Sequence, residues 1–360
     1  MKSLILLVIL SALALVVGCG DEPSVAAGGV CDFSGGDGSL ATPRLVTALA
    51  LSPGGESLWI GDQEGVTRVD RGAGAVQSWG AGESGLASDT IAALAVTRAG
   101  EVWAAHDRAT CAGTPQGFCG LSRLEASGQA WSAVNSANSE LIDDRVAAVG
   151  QAPDGVIWAG TASGAAFSED GRSWRAYFDW QDCARPGSQC APLFSFTVAD
   201  LAFDGVGATW LAIEQQALGV SPKPGGVARR SAGGLTDTWD RAQGLPSNRA
   251  GRVVIDGEGR AWAAGVYGAA VLDEGEGRFE VEFEEAVLDM VVDGQGRVWL
   301  GTERGARVRQ GPGAWIAITT AEGLPDDRVE ALASEGALVC LGTSGGAACY
   351  DTARCAWSYE

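Results

Sequence analysis

Seven short runs of alternating apolar residues recur along the chain. They read VTALAL from Val46, IAALAV from Ile91, VAAVGQ from Val146, VADLAF from Val198, GRVVI from Gly251, VLDMVV from Val287 and VEALA from Val329. Each is the length of a strand and too short for an amphipathic helix. Each runs into a Gly-, Asp- or Ser-bearing turn and then into a second run built around a tryptophan. Six copies place that residue at Trp59, Trp103, Trp158, Trp210, Trp262 and Trp299, as in DGQGRVWLGT (293–302), and the seventh has Cys340 there. A third run then opens on glycine: Gly65, Gly120, Gly164, Gly226, Gly268, Gly305 and Gly346. A fourth carries Trp79, Trp131, Trp174, Trp239, Trp315 or Trp357, with Phe279 and Phe283 in the fifth copy. The spacing between copies ranges from 37 residues (Trp262 to Trp299) to 55 (Trp103 to Trp158). Nothing reads as a long helix.

Four strands repeated seven times predict an all-β fold: a seven-bladed β-propeller of four-stranded antiparallel blades, spanning 41–360. A single blade leaves both faces of its sheet open, and stacking around a ring covers them. The recurrent tryptophans fill the gaps between blades, each contributing roughly 3 kcal/mol or more at ~25 cal/mol per Å² buried. Twelve of the thirteen tryptophans occupy the two repeated positions and are read as packing residues; Trp180 is the exception.

Composition agrees with a folded chain, at 46% apolar and 19% charged residues. The net charge of −20 excludes nucleic acid as a partner, since binding it requires Lys and Arg to displace counterions. At the N-terminus, Met1-Lys2 precedes an apolar stretch from Leu4 to Val17. That stretch is too short for a membrane span and reads as a signal peptide over 1–18. Its end, Val16-Val17-Gly18-Cys19, resembles the lipobox of bacterial lipoproteins. The resemblance implies lipid attachment at Cys19, a flexible tether over 19–40 and contact with the membrane through the lipid alone. An ordinary secreted signal with an incidental Cys is the alternative. By the enterobacterial sorting rule, Gly20 after the Cys directs the chain to the outer membrane.

Eight further cysteines suit an exported protein. Cys111/Cys119 and Cys183/Cys190 each bracket a short loop. Cys340 and Cys349 lie symmetrically about a turn, which suits a cross-strand disulfide, and Cys31 with Cys355 would then tie the tether to the last strand. Cys349–Cys355 with Cys31–Cys340 is the competing pairing. No spacing is that of a zinc site, and His106 is the one histidine. No metal and no cofactor are expected.

GLPDDRVEALASEGALVCLGTSGGAACYD (323–351) and GLPSNRAGRVVIDGEGRAWAAGVYGAAVLD (244–273) resemble the two-component-regulator propeller repeat, with looser copies elsewhere over 40–360. The resemblance implies architecture and not a reaction.

Candidate binding residues follow from the insertions. Blade 2 expands the connection between its second and third strands (107–120), blade 3 expands its exit (179–197), and blade 4 expands its second-to-third-strand connection (214–225). In a propeller these connections share one face, and long loops on a rigid scaffold are where binding resides. The candidate face comprises His106, Asp107, Arg108, Trp180, Gln181, Asp182, Arg185, Gln215 and Gln216. Its ligand is a protein, a glycan or a small molecule, and the chain itself is expected to be a monomer. The acids Asp89, Asp143, Asp144, Asp326 and Asp327 lie on the same face, where they either ring the channel mouth or cap turn amides. The run Asp273–Glu285 is read as a solvated outer surface. A lyase or hydrolase with His106 as general base, for which streptogramin-lyase propellers are a precedent, is the alternative function.

Overall fold

The computed structural model describes residues 45–112, 114–128, 130–177, 197–214, 225–231 and 236–359. It is a seven-bladed β-propeller. Seven four-stranded sheets follow one another, and within each the strands lie side by side in chain order, all antiparallel. The strands of a blade are called A to D. The A strands pack against one another in a closed circle, the last (Val329–Glu335) touching the first (Ala48–Leu51), so they line a central channel. Among the described residues, helix is confined to three short turns at 81–84, 241–243 and 320–322, all in D-to-A connections.

Seven buried clusters sit at the seven blade-to-blade interfaces, and the repeated tryptophans explain them. Trp59 of blade 1 packs with Ile91, Leu94 and Val102 of blade 2, beside Trp79 and Trp131. Trp262 of blade 5 packs with Val287, Met290 and Leu300 of blade 6 and meets Trp315 edge-on at 6.0 Å. In the six interfaces that hold a strand B tryptophan, that ring faces the next blade, which is why one sheet alone would leave it in water.

The glycine opening strand C is fixed by geometry. In all seven blades its φ lies between +73° and +136°. A Cβ there would meet the carbonyl that ends strand D, at 2.0 Å from Trp79 O for Gly65 and 2.2 Å from Ile318 O for Gly305. The preceding threonine closes the same turn: the hydroxyls of Thr161, Thr302 and Thr343 donate to the carbonyls of Gly164, Gly305 and Gly346 at 2.7–2.9 Å.

The acid of the A–B turn has a second task. Asp256 accepts from the indole of Trp262 (2.9 Å) and from Arg260, while Asp293 does the same for Trp299 (2.8 Å) and Arg297. Asp204 accepts from Trp210 at 3.1 Å. The Asp-Gly-x-Gly motif is therefore a latch from turn to buried ring. Its glycines also let turns of neighbouring blades touch: Gly257 N–H donates to Gly296 O, and a Cβ on Gly257 would lie 2.5 Å from the Gly296 Cα.

The interface between blades 7 and 1 differs from the others. Its cluster joins Val46, Leu49, Leu51 and Leu58 to Ala331, Ala333, Leu338 and Ala347 and contains no aromatic ring. Cys340 and Cys349, direct register partners on strands B and C, form a disulfide in the place where the other blades hold a tryptophan. Cys355 is also disulfide-bonded. The remaining described cysteines are paired with one another, so its partner lies outside the described residues, as do Cys31, Cys183 and Cys190. Cys340–Cys349 is thus the pairing formed, and the competing pairing of Cys349–Cys355 with Cys31–Cys340 is excluded.

One expectation needs correction. Glu282, within the acidic run 273–285, is not merely solvated. It pairs with Arg309 of blade 6 through two hydrogen bonds of 2.9 and 3.0 Å, and that guanidinium lies 5.0 Å from the Trp262 ring centroid.

Candidate binding face and axial channel

Strands B and C of blade 2 (Val102–Thr110 and Phe118–Leu124) extend beyond the other blades and form a hairpin on the face that carries the D-to-A connections. The expected loop is thus mostly strand, with a register shift between His106 and Thr110. A Cys111–Cys119 disulfide closes its end. Inside it, Cys111 N–H donates to Gly117 O and the Thr114 hydroxyl to Cys111 O. The Gln116 amide oxygen accepts from Asp144 N–H at 3.0 Å, tying the tip to the entry of blade 3. Arg145 lies over the Phe118 ring at 5.3 Å. Ala112, Pro115 and Gln116 remain exposed on this braced tip.

His106 lies at the hairpin base, fully buried. Nδ1 is 2.9 Å from Thr90 O, and Nε2 is 2.9 Å from the Ser122 hydroxyl, which itself accepts from Ala87 N–H. Burial lowers its pKa, partly opposed by the Thr90 carbonyl and Asp89. The neutral ring fits this site: Nδ1–H donates to Thr90 and Nε2 accepts from Ser122. His106 stands where other blades use threonine, and it bridges the longer gap that the hairpin opens between strand C and the incoming connection. Asp107 is half-buried beside it. The backbone of Arg108 lies in strand B, and its side chain is outside the described atoms. Trp180, Gln181, Asp182, Arg185, Gln215 and Gln216 lie outside the described residues, as do the expected signal segment and Cys19.

The acids of the D-to-A turns cap turn amides. Asp89 accepts from Ala81 N–H, Asp144 from Ser136 N–H, Asp327 from Thr320 N–H, Asp143 from Arg145 N–H and Asp326 from Arg328 N–H, all at 2.6–2.9 Å. Among the described residues, no group of three or more His, Cys, Asp or Glu side chains is placed to hold a metal ion.

The channel holds a cluster that sequence reading missed. The A-strand residues opposite the small residue before the Thr position are Ala48, Ala93, Ala148, Asp200, Arg252, Asp289 and Ala331. Four blades place alanine there, and the consecutive blades 4, 5 and 6 place Asp, Arg and Asp. Each side chain reaches toward the next blade. Asp200 Oδ2 accepts from Val253 N–H (2.9 Å), and Asp289 Oδ2 accepts from Leu332 N–H (2.6 Å). Both donors belong to the inner edge of an A strand, which no further strand covers. Arg252 Nε donates to Asp289 Oδ1 at 2.7 Å, and its Nη1 to Gly251 O. The surrounding cavity is about 220 Å³ and is lined by all seven A strands. Arg252 is 32% exposed in its side chain and Asp289 17%, as expected of groups lining a narrow lumen. Burial pushes the Asp200 carboxyl up to about 6, with Arg252 and the Val253 N–H pulling against it and Asp289 reinforcing it. Burial alone would lower the Arg252 pKa; Asp289 and Asp200 outweigh it and raise it. The signal for this cluster was present in the aligned runs VADLAF, GRVVI and VLDMVV. It appears only when the blades are stacked at equal register.

Two other hollows are less informative. One beneath Tyr267, lined by Leu245, Pro246 and Ala250, has about 10 Å³, room for a single water. The other surrounds the Ser168–Arg175 turn, where Asp170 accepts from the Arg172 and Ser173 amides; those bonds hold its carboxyl below the usual range.

No protein-family model matches the chain, and no curated protein matches it either. Solved structures do. The extracellular domain of a proposed hybrid two-component system from B. thetaiotaomicron superposes with a TM-score of 0.62 at 14% identity, covering 86% of this chain. This chain spans 40% of that domain's length. Virginiamycin B lyase from Staphylococcus aureus gives 0.60 at 12% identity, covering 85% of this chain and 94% of the lyase. YCF48 bound to D1 peptide gives 0.57 at 13% identity, covering 86% of this chain and 92% of that one. At these identities the likeness shows the fold. The propeller expected from the repeat is the fold found, and the structures it resembles include the extracellular domain of a hybrid two-component system. They also include an enzyme, so shared architecture assigns no reaction.

Proposed function

We propose that this protein is an exported binding or assembly module whose recognition surface is the hairpin-bearing face around blade 2. The carrying observation is the hairpin itself. It is the described connection that grows beyond the repeat frame, and it is braced on three sides: by the Cys111–Cys119 disulfide, by the Gln116 contact with blade 3 and by His106 beneath. A braced, exposed tip loses little conformational freedom on binding, so more of the contact energy appears as affinity. The expected inserts of blades 3 and 4 lie outside the described residues, and a protein, a glycan or a small molecule is the ligand of this face. Disulfides persist in oxidising compartments, which supports export to the cell envelope or beyond. No helix among the described residues is long and apolar enough to cross a membrane, and attachment through a lipid on Cys19 is the anchoring we favour. A lyase or hydrolase centred on His106 draws no such support, because both ring nitrogens are bonded inside the fold.

The test is to replace Asp107–Cys119 with the two-residue connection of blade 3, Ala162-Ser163, and to compare affinity-purified partners of the two full-length chains. Loss of one defined partner with an unchanged melting temperature is expected. Identical partner sets would sink the assignment of this face. Mass spectrometry of the mature N-terminus reads the lipid separately.

A further inference from the structure

We propose that the axial channel is a binding site for a small zwitterion of the α-amino-acid class, gripped by the Arg252 guanidinium and the Asp200 carboxylate. This is independent of the hairpin face. Both Asp289 oxygens are occupied, one by Arg252 Nε and one by Leu332 N–H. Among the described residues, Arg252 donates through Nε and Nη1 and keeps Nη2 in reserve, while the Asp200 carboxylate accepts from the Val253 and Leu201 amides and retains further lone pairs. A guanidinium donor and a carboxylate acceptor with lone pairs to spare thus both line one side of a cavity of about 220 Å³. That is below the ~300–1,000 Å³ of pockets for drug-sized ligands, so the ligand has few heavy atoms. The opposite wall is the alanine arc of Ala48, Ala93, Ala148 and Ala331, which suits a short apolar side chain.

Charge selects among small ligands. Asp200, Asp289 and Glu214 all act on Arg252, so the four groups together carry −2 when ionised. A lone anion is repelled by that surplus, and a lone cation leaves the guanidinium edge unused. A carboxylate on Arg252 with an ammonium on Asp200 satisfies both. Because the Asp200 carboxyl titrates near 6, with Arg252 and Asp289 facing it and Glu214 nearby, the ammonium loses its partner in more acid solution.

The experiment is calorimetric titration of the exported chain with glycine, L-alanine and L-serine. Glycine methyl ester and N-acetylglycine serve as controls that each lack one charge. Binding by at least one amino acid is expected, with both controls ~10-fold weaker or more and affinity falling about tenfold from pH 7.5 to pH 5. Asp200→Asn keeps the shape and an oxygen for the Val253 N–H and should lose the ammonium contact; Arg252→Met should lose the carboxylate contact. If Arg252→Met fails to fold, Asp200→Asn and the control ligands decide. No binding by any amino acid at millimolar concentration, equal binding by the controls, or unaltered binding by Asp200→Asn would each overturn the proposal.

Discussion

Blades 4 to 6 and blade 2 are built from the same repeat and use it differently. In blades 4, 5 and 6 the A–B turn acid latches the buried indole, from Asp204, Asp256 and Asp293. In blade 2 that acid is Thr97, and Trp103 Nε1 has no partner among the described residues. In blade 6 the Gly-Thr position is Thr302, which closes a two-residue turn; in blade 2 it is His106, which props a hairpin. Where the repeat is kept, its side chains answer one another inside the blade. Where it is broken, they hold up something outside it. Breaks of local consistency of this kind cluster at sites used for function.

The largest way to break the contrast is through the buried rings. Trp262→Ala empties the interface between blades 5 and 6 and should cost about 3–5 kcal/mol, read as a shift of the denaturation midpoint. Next come the turn acids. Asp293→Ala strips an acceptor from the Trp299 indole, from two turn amides and from Arg297, leaving donors buried, and should cost about 1–3 kcal/mol. Thr97→Ala at the matching place in blade 2 removes a single accepted amide and should cost less, about 0.5–1.5 kcal/mol. Equal losses would erase the difference between the blades.

Two smaller effects are read through pH. In the fold the Asp200 carboxyl is raised from its ordinary 3.8 to about 6 by burial. A raised acid contributes stability below its unfolded pKa, and that contribution is lost as pH rises through the folded value. Asp200→Asn should therefore flatten the stability profile between pH 4 and pH 6 and leave the protein more stable at pH 7. His106 runs the other way. Its folded pKa is lowered, so its contribution is present above the unfolded value of ~6.5 and fades as pH falls below it. Hydrogen-exchange protection of the hairpin should weaken in acid before that of the blade 6 turn at Thr302–Gly305.

The ring was legible in the sequence because its causes are local and repeated seven times. Period-two runs, turn glycines and a tryptophan at one place in each unit specify four strands and the surface they share. The Cys340–Cys349 pair was legible too, since the short turn between them fixes the register. The role of His106 was not, because burial depends on Thr90 and Ser122, which approach it only when the blade folds. The Asp200–Arg252–Asp289 cluster stayed hidden for a related reason. Its members are 37 and 52 residues apart, and only closure of the ring makes them neighbours.

The most direct test of the division between scaffold and recognition is site-specific photo-cross-linking in the living source cell. A photoreactive residue would replace Ala112 on the blade 2 hairpin or, in a second chain, Tyr267, which is 62% exposed on the equivalent turn of blade 5. Both positions lie on one face, on different blades. One defined adduct from position 112 and none from position 267 is the expected result. An adduct from position 267 alone, or the same adduct from both, would contradict it.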